Sequence, residues 1–391
     1  MPQYDFSHDV DRSGTNAIKW TMFGEDVLPM WVADTEFGAP PAVMEALRQR
    51  LEHPVFGYQA DMPALRETLA RRLAARYDWQ VDPAWILLMP GLVAGLNIVT
   101  HTVGEAGDGV LMTPPIYPPF MHATTNFGLE VQHAALAARS DGHILRYELD
   151  FDALERAVTP RSKLLLLCNP HNPTGRVFTL DELTRLAAFA EQHDLIVCSD
   201  EIHAELVYTG SQHIPLAKIA PELASRMITL YAPSKTFNIP GLGSASAIVQ
   251  DEALRNKLRM TGFHFGMISN ALGYVAAEAA YREGDEWLAA LMTHLEGNRD
   301  FVVEYVAAHM PGVSVTRPEA TYLAWMDFRA VGLEDPFKFF LKEAKVALTN
   351  GTDCGPGGAG FARLNFGCSR AMLTQALEQM STALGNREKV C

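Results

Sequence analysis

The sequence predicts an α/β protein: a mostly parallel, seven-stranded sheet between helices, followed by a smaller α+β domain. Three observations lead there. Short apolar runs alternate with helical patterns through the middle of the chain, and strands without a polar face belong to parallel sheets covered on both sides. At 391 residues the chain exceeds what one small core supports, so two domains are expected. Near residue 285 the texture changes to a long helical stretch and then to alternating, half-buried strands.

Taken in order, residues 1–40 are irregular with apolar patches (LPMWVADTEF), and an arm packing on the small domain or on a partner is expected. The large domain is placed at 41–285. Its strands are expected at Trp85–Met89, Gly109–Thr113, Leu129–His133, Lys163–Asn169, Leu195–Asp200, Met227–Ala232 and Ser244–Val249. Between the fourth and fifth lies TLDELTRLAAFAEQHD, where Thr179 and Glu182 make a capping-box pattern ahead of leucines and alanines at helical spacing. The small domain is placed at 286–391. It begins with a helix over Leu288–Met310, and VSVTRPEATYLAWMDFR alternates like half-buried strands. A helix near Pro336–Lys345, the strand FARLNFG and a final helix near Arg370–Leu384 complete it.

Composition excludes several classes. A hydrophobic content of 48% and a charged content of 20% fit an ordinary globular protein. The net charge of −14 argues against nucleic-acid or anionic-membrane surfaces. The polar start, MPQYDFSHDVDRSG, has no signal-peptide pattern, and no apolar run approaches a membrane span. Cys168, Cys198, Cys354, Cys368 and Cys391 form no CxxC pair, so neither a disulfide framework nor a metal site is expected; a cytoplasmic location is.

In open α/β sheets the ligand lies beyond the carboxyl ends of the strands. That rule selects the loops around Pro90–Val93, TPPIY, CNPHNPTGR, SDEIHAEL and APSKTFNIPGL, which carry Tyr117, Asn172, Asp200, His203, Ser234 and Lys235. No GxGxxG follows the first strand, and no Walker lysine motif or HExxH occurs, so nucleotide and metal chemistry lose ground. On position alone Lys235 either snorkels from the sheet end or is an amine in a pocket, desolvated and ready to form a Schiff base. Asp200 favours the second reading, because a carboxylate ending an apolar strand needs a positive or hydrogen-bonding partner. A protonated pyridine nitrogen is such a partner. Pyridoxal phosphate calls for a lysine, an acid for the ring nitrogen and a phosphate cradle. Gly91-Leu92-Val93, ahead of a helix expected to open at Ala94, offers backbone N–H groups for the phosphate.

The set NPHNPTGR, SDEIHAEL, APSKTFNIPGL and FARLNFGCSR resembles the fold-type-I pyridoxal-phosphate enzymes of the class I/II aminotransferase group. LPMWVADTEF, SDEIH rather than SDEIY, and YLAWMDFR are similar to the MalY/PatB-type cystathionine β-lyases, or C–S lyases. The likeness runs through nearly the whole chain. It implies Lys235 as the Schiff-base lysine, Asp200 on the pyridine nitrogen, Asn172 on the ring 3-oxygen and Tyr117 stacked on the ring. It implies Leu92, Val93 and Ser234 on the phosphate, and Arg363 on the substrate α-carboxylate with its two-pronged donor. Tyr58 would reach the phosphate of a neighbouring subunit, so a homodimer with shared sites is implied. His203 either flanks the 3-oxygen or is a satisfied core histidine. Read as residues alone, Asn172 also suits a turn, Tyr58 and Tyr117 suit packing, and Arg363 suits a surface strand.

Four positions depart from the family pattern. Gly243 stands where related aminotransferases carry a phosphate-binding arginine. Thr35-Glu36 replaces Met-Asp, and Cys354 replaces phenylalanine. The resemblance implies α,β-elimination from cystathionine or another cysteine S-conjugate to a thiol, pyruvate and ammonia, in which a thiolate leaves readily at a reference pKa of about 8.5. An aminotransferase is the rival enzyme. A regulatory protein on the same fold is the rival outside enzymes, and intact Lys235, Asp200 and Arg363 speak against it.

Overall fold

The computed structural model describes residues 4–59, 61–267 and 270–388. Its central sheet contains β1 (Ile86–Met89), β2 (Gly109–Met112), β3 (Glu130–His133), β4 (Ser162–Cys168), β5 (Ile196–Asp200), β6 (Met227–Tyr231) and β7 (Ala245–Ile248). They lie in the order β1-β7-β6-β5-β4-β2-β3, and only β7 runs against its neighbours. These are the seven expected apolar runs. In β4, Leu164 to Leu167 are all buried, as a strand covered on both faces requires.

The topology places the loops. β2, β4, β5 and β6 point the same way, so their carboxyl ends, at Met112, Cys168, Asp200 and Tyr231, share one edge. β1 is antiparallel to β7 and β7 to β6, so β1 also ends at that edge and β7 begins there. Pro90–Val93 and Gly243-Ser244 therefore meet the loops after β4, β5 and β6.

The helix Leu180–Gln192 starts with the expected capping box: Thr179 accepts from the Glu182 backbone, and Glu182 from that of Thr179. The helix expected from Ala94 begins at Leu92 instead, with Gly91 as its N-cap, so Leu92 and Val93 occupy its first turn. The expected helix over 336–345 is one helical turn, Pro336–Phe339, followed by a wider π turn over Phe340–Ala344. Lys345 ends it at φ +55°, and its carbonyl accepts from Leu28 at 2.8 Å. The chain turns there so that Val346–Ala347 can pair with Leu28–Pro29.

A second, six-stranded sheet has Leu323–Asp327 as an inner strand, paired with Phe361–Asn365 on one side and Ser314–Thr316 on the other. The hairpin Ala137–Asp141/Ile144–Glu148 joins it through parallel pairing of Val315 with Ile144. The helices Asp285–His309 and Arg370–Glu388 pack against that end of the molecule.

Residues 4–40 wrap over this part of the chain. Lys19, almost wholly buried, sits between Glu36 at 2.6 Å and Asp34 at 3.2 Å, and Arg12 reaches Asp34 at 2.9 Å. Four alternating charges thus neutralise one another, which burial demands. They hold residues 31–37 as a strap across the edge where the loops converge.

Candidate active site

The strand-end loops enclose a cavity of about 430 Å³. Leu92, Val93, Tyr117, Asn172, Asp200, His203, Ser234 and Lys235 all line it, with Ala33 of the strap, Cys168, Gly243 and Ser244. Sequence reasoning brought eight of these residues to one place. Arg363 lies one hydrogen bond behind the wall: its Nη1 donates to Asn172 Oδ1 at 2.8 Å. Its Nη2 donates to the Trp31 carbonyl and to Thr349 Oγ1, both at 2.9 Å. Tyr58 is 95% exposed and lies outside the cavity of its own chain.

Local backbone accounts for the lysine. After β6 the chain cannot continue as strand through Pro233, and it folds into tight turns. Phe237 N donates to the Pro233 carbonyl at 2.9 Å, and Ile239 N to that of Ser234 at 3.0 Å. The turn directs Lys235 across the sheet edge to the strap, where Nζ donates to the Ala33 carbonyl at 2.5 Å. Burial lowers the Lys235 pKa to about 8; the carboxylates of Asp34 and Asp200 oppose that, and the cations Arg363 and Lys19 add to it.

Asp200 is buried, and among the described residues the only hydrogen bond its carboxylate accepts is from Ile202 N at 3.1 Å. Burial raises its pKa to about 7 despite that bond. Among the described residues no cationic group is in direct contact with this carboxyl, and a pyridinium nitrogen would supply one. Burial also pushes the Tyr117 phenol up and lowers the His203 pKa to about 3, with Lys235 and Arg363 adding to the latter. Among the described residues, buried His203 Nδ1 and Arg363 Nε have no hydrogen-bond partner, and neither has Asn172 Nδ2. These orphaned polar atoms, a titratable pair and a helix N-terminus in one cavity fit a polar aromatic phosphate such as pyridoxal 5′-phosphate.

The model of the family described as aminotransferase class I and II matches residues 25–380. The chain belongs to that family. Within it, the chain is 39% identical to cystathionine β-lyase PatB of Bacillus subtilis, over 97% of this chain and 100% of the relative. It is 35% identical to the cystathionine β-lyase of Corynebacterium glutamicum, over 94% and 96% of the two chains. Among solved structures, cystalysin from Treponema denticola, described as containing a pyridoxal 5′-phosphate cofactor, superposes with a TM-score of 0.94. It shares 32% identity, and the match covers 98% of this chain and 100% of that one. Family membership makes the chain a fold-type-I enzyme in the MalY/PatB-type branch, and pyridoxal 5′-phosphate is its cofactor.

Gly243 shows why this family member does without the arginine expected there. Its φ is +55°, and a Cβ would stand 2.8 Å from the Pro90 carbonyl oxygen. Any L side chain meets both the left-handed penalty and a backbone clash. We expect Gly243→Ala to cost about 2–3 kcal/mol of stability, read as a lower denaturant midpoint, and to weaken cofactor retention in an absorbance titration.

Sequence reasoning missed several contributors. Ala33 acts through a backbone carbonyl, which has no signature in the sequence. Asn365 acts from the second sheet and Asn238 from the lysine loop, each holding the strap, and the Tyr322 hydroxyl donates to the Ala33 carbonyl. The motif LPMWVADTEF was the available signal, since an apolar irregular segment has to be pinned by something.

Proposed function

We propose that the chain is a pyridoxal-phosphate-dependent C–S β-lyase acting on cystathionine or a related cysteine S-conjugate. The observation that carries this reading is the convergence of the buried carboxyl of Asp200 and the amine of Lys235 on one cavity. The names of the relatives PatB and the Corynebacterium enzyme favour elimination over amino transfer.

When bound, the cofactor supplies an electrophilic aldehyde and a ring that accepts the electron pair released at Cα. Lys235 anchors it and, once released, takes the Cα proton as a neutral amine. Asp200, as a carboxylate, holds the proton on the ring nitrogen. Tyr117, which lines the cavity, would cover one face of the ring, and its raised pKa keeps the phenol neutral. Backbone N–H groups of Leu92 and Val93 at the helix start, with the Ser234 hydroxyl, receive the phosphate. Asn172 offers its free Nδ2 to the ring oxygen while Oδ1 stays on Arg363. Arg363, already braced by Thr349 and the strap, takes the α-carboxylate with the donor capacity left at Nε. His203, which lines the cavity and has no hydrogen-bond partner at Nδ1 among the described residues, would flank the same oxygen.

The assembly proposed is a homodimer with shared sites. Tyr58 lies in an exposed segment with Val55 and Phe56, whose apolar side chains a partner subunit would cover. Tyr58 would then serve the partner's phosphate. The division into an arm (1–40), a large domain (41–285) and a small domain (286–391) belongs to the same proposal.

The test is to supply the purified protein with L-cystathionine and no keto acid. Homocysteine and pyruvate should form together in equal amounts. No product until a keto acid is added would replace this reading with amino transfer.

A further inference from the structure

The strap presents one oxygen to two donors. The Ala33 carbonyl accepts from Lys235 Nζ at 2.5 Å and from the Tyr322 hydroxyl at 3.0 Å. Tyr322 is fully buried, and its hydroxyl makes no other hydrogen bond among the described residues. Nor does Lys235 Nζ have another acceptor among them.

The oxygen cannot swing away from this arrangement. Asn365 Nδ2 donates to the carbonyls on either side, Val32 at 2.5 Å and Asp34 at 2.7 Å. Lys19 Nζ also donates to the Asp34 carbonyl at 2.9 Å. Asn238 Oδ1 accepts from Thr35 N at 3.0 Å, and its Nδ2 donates to the Thr35 and Phe37 carbonyls. The position of Ala33 is therefore set without Tyr322, and the tyrosine is free to affect what the oxygen offers.

We infer that Tyr322 is a positioning residue for Lys235: by occupying part of the Ala33 carbonyl, it limits how firmly that carbonyl holds the lysine as an ammonium. A carbonyl oxygen has two lone pairs, and each donor that settles on it leaves less electron density for the other. Charges of both signs face Lys235. Asp34 from the strap and Asp200 from β5 favour the cation; Arg363 from its strand and Lys19 from the arm disfavour it. His203, from the loop after β5, faces the same cavity. On top of burial and these charges, the hydrogen bond to the Ala33 carbonyl favours the ammonium form, so weakening it lets the amine become neutral more readily. The inference rests on Lys235 being the residue that must act as a free amine.

The test uses cofactor-free protein. Pyridoxal 5′-phosphate condenses with a neutral amine, with loss of water, so the rate of covalent uptake followed by absorbance against pH reports the Lys235 amine directly. Tyr322→Phe should move the midpoint of that profile upward by about half a pH unit, slowing uptake about threefold near neutral pH and leaving the high-pH plateau unchanged. Placing 3-fluorotyrosine at position 322, a stronger donor in nearly the same volume, should move the midpoint down, and it serves if the phenylalanine protein does not fold. A midpoint that stays put or moves the other way in the variant that folds overturns the inference. Lys235→Ala run alongside separates the two levels: uptake as fast as in the parent would refute the role of the lysine itself.

Discussion

Lys235→Ala should lower kcat/KM by about 10⁴-fold while leaving the protein folded. The activity loss follows from removing both the anchor and the base. Retention of the fold follows from the surroundings. Among the described residues the lysine side chain makes one hydrogen bond, to the Ala33 carbonyl, and that oxygen keeps Tyr322 as a donor after the change. The neighbouring cations Arg363 and Lys19 also lose a like charge. Added methylamine should restore part of the rate, and the restored rate should climb with pH as more of the amine is neutral. Steady-state kinetics with and without the amine check this, and a variant retaining the parental rate would contradict it.

Asp200→Asn should lower kcat/KM by about a hundred- to a thousandfold and at the same time stabilise the cofactor-free protein at mildly alkaline pH. Burial raises the folded-state pKa of Asp200 from 3.8 to about 7. The folded protein therefore binds more protons than the unfolded chain between those two values, and stability falls as pH rises through that window. Above about 7 the full penalty is present, on the order of a few kcal/mol. An amide escapes it. Denaturant midpoints of cofactor-free parent and variant should coincide near pH 4 and separate by pH 8, with the variant the more stable. With cofactor bound the order should reverse, because only a carboxylate holds the ring nitrogen protonated. Function here is set against stability at a single residue.

Much of this was legible because burial leaves a mark on sequence. Leu164–Leu167 has no polar face, so its strand could be placed centrally, and the carboxyl-end rule then gathered Tyr117, Asn172, Asp200, His203, Ser234 and Lys235. Thr179 and Glu182 announced their helix through side chains that cap it. What escaped depended on backbone or on distant chain. Ala137–Asp141 is an edge strand, mostly exposed, and has no apolar run to betray it. The Ala33 carbonyl carries no residue signature. Arg363 and Asn172 are 191 positions apart, and nothing in either segment foretells their hydrogen bond. Lys345 ends the turn after Phe340 because the arm needs Val346–Ala347, a demand made from the other end of the chain.

The central claim is that one lysine, at the end of β6, anchors the chemistry. The most direct measurement is borohydride reduction of the holoenzyme, then proteolysis and mass spectrometry to locate the pyridoxyl group. One equivalent per chain on Lys235, in the peptide containing APSKTFNIPGL, is the predicted result. A label on any other lysine, or none retained after reduction, would contradict it.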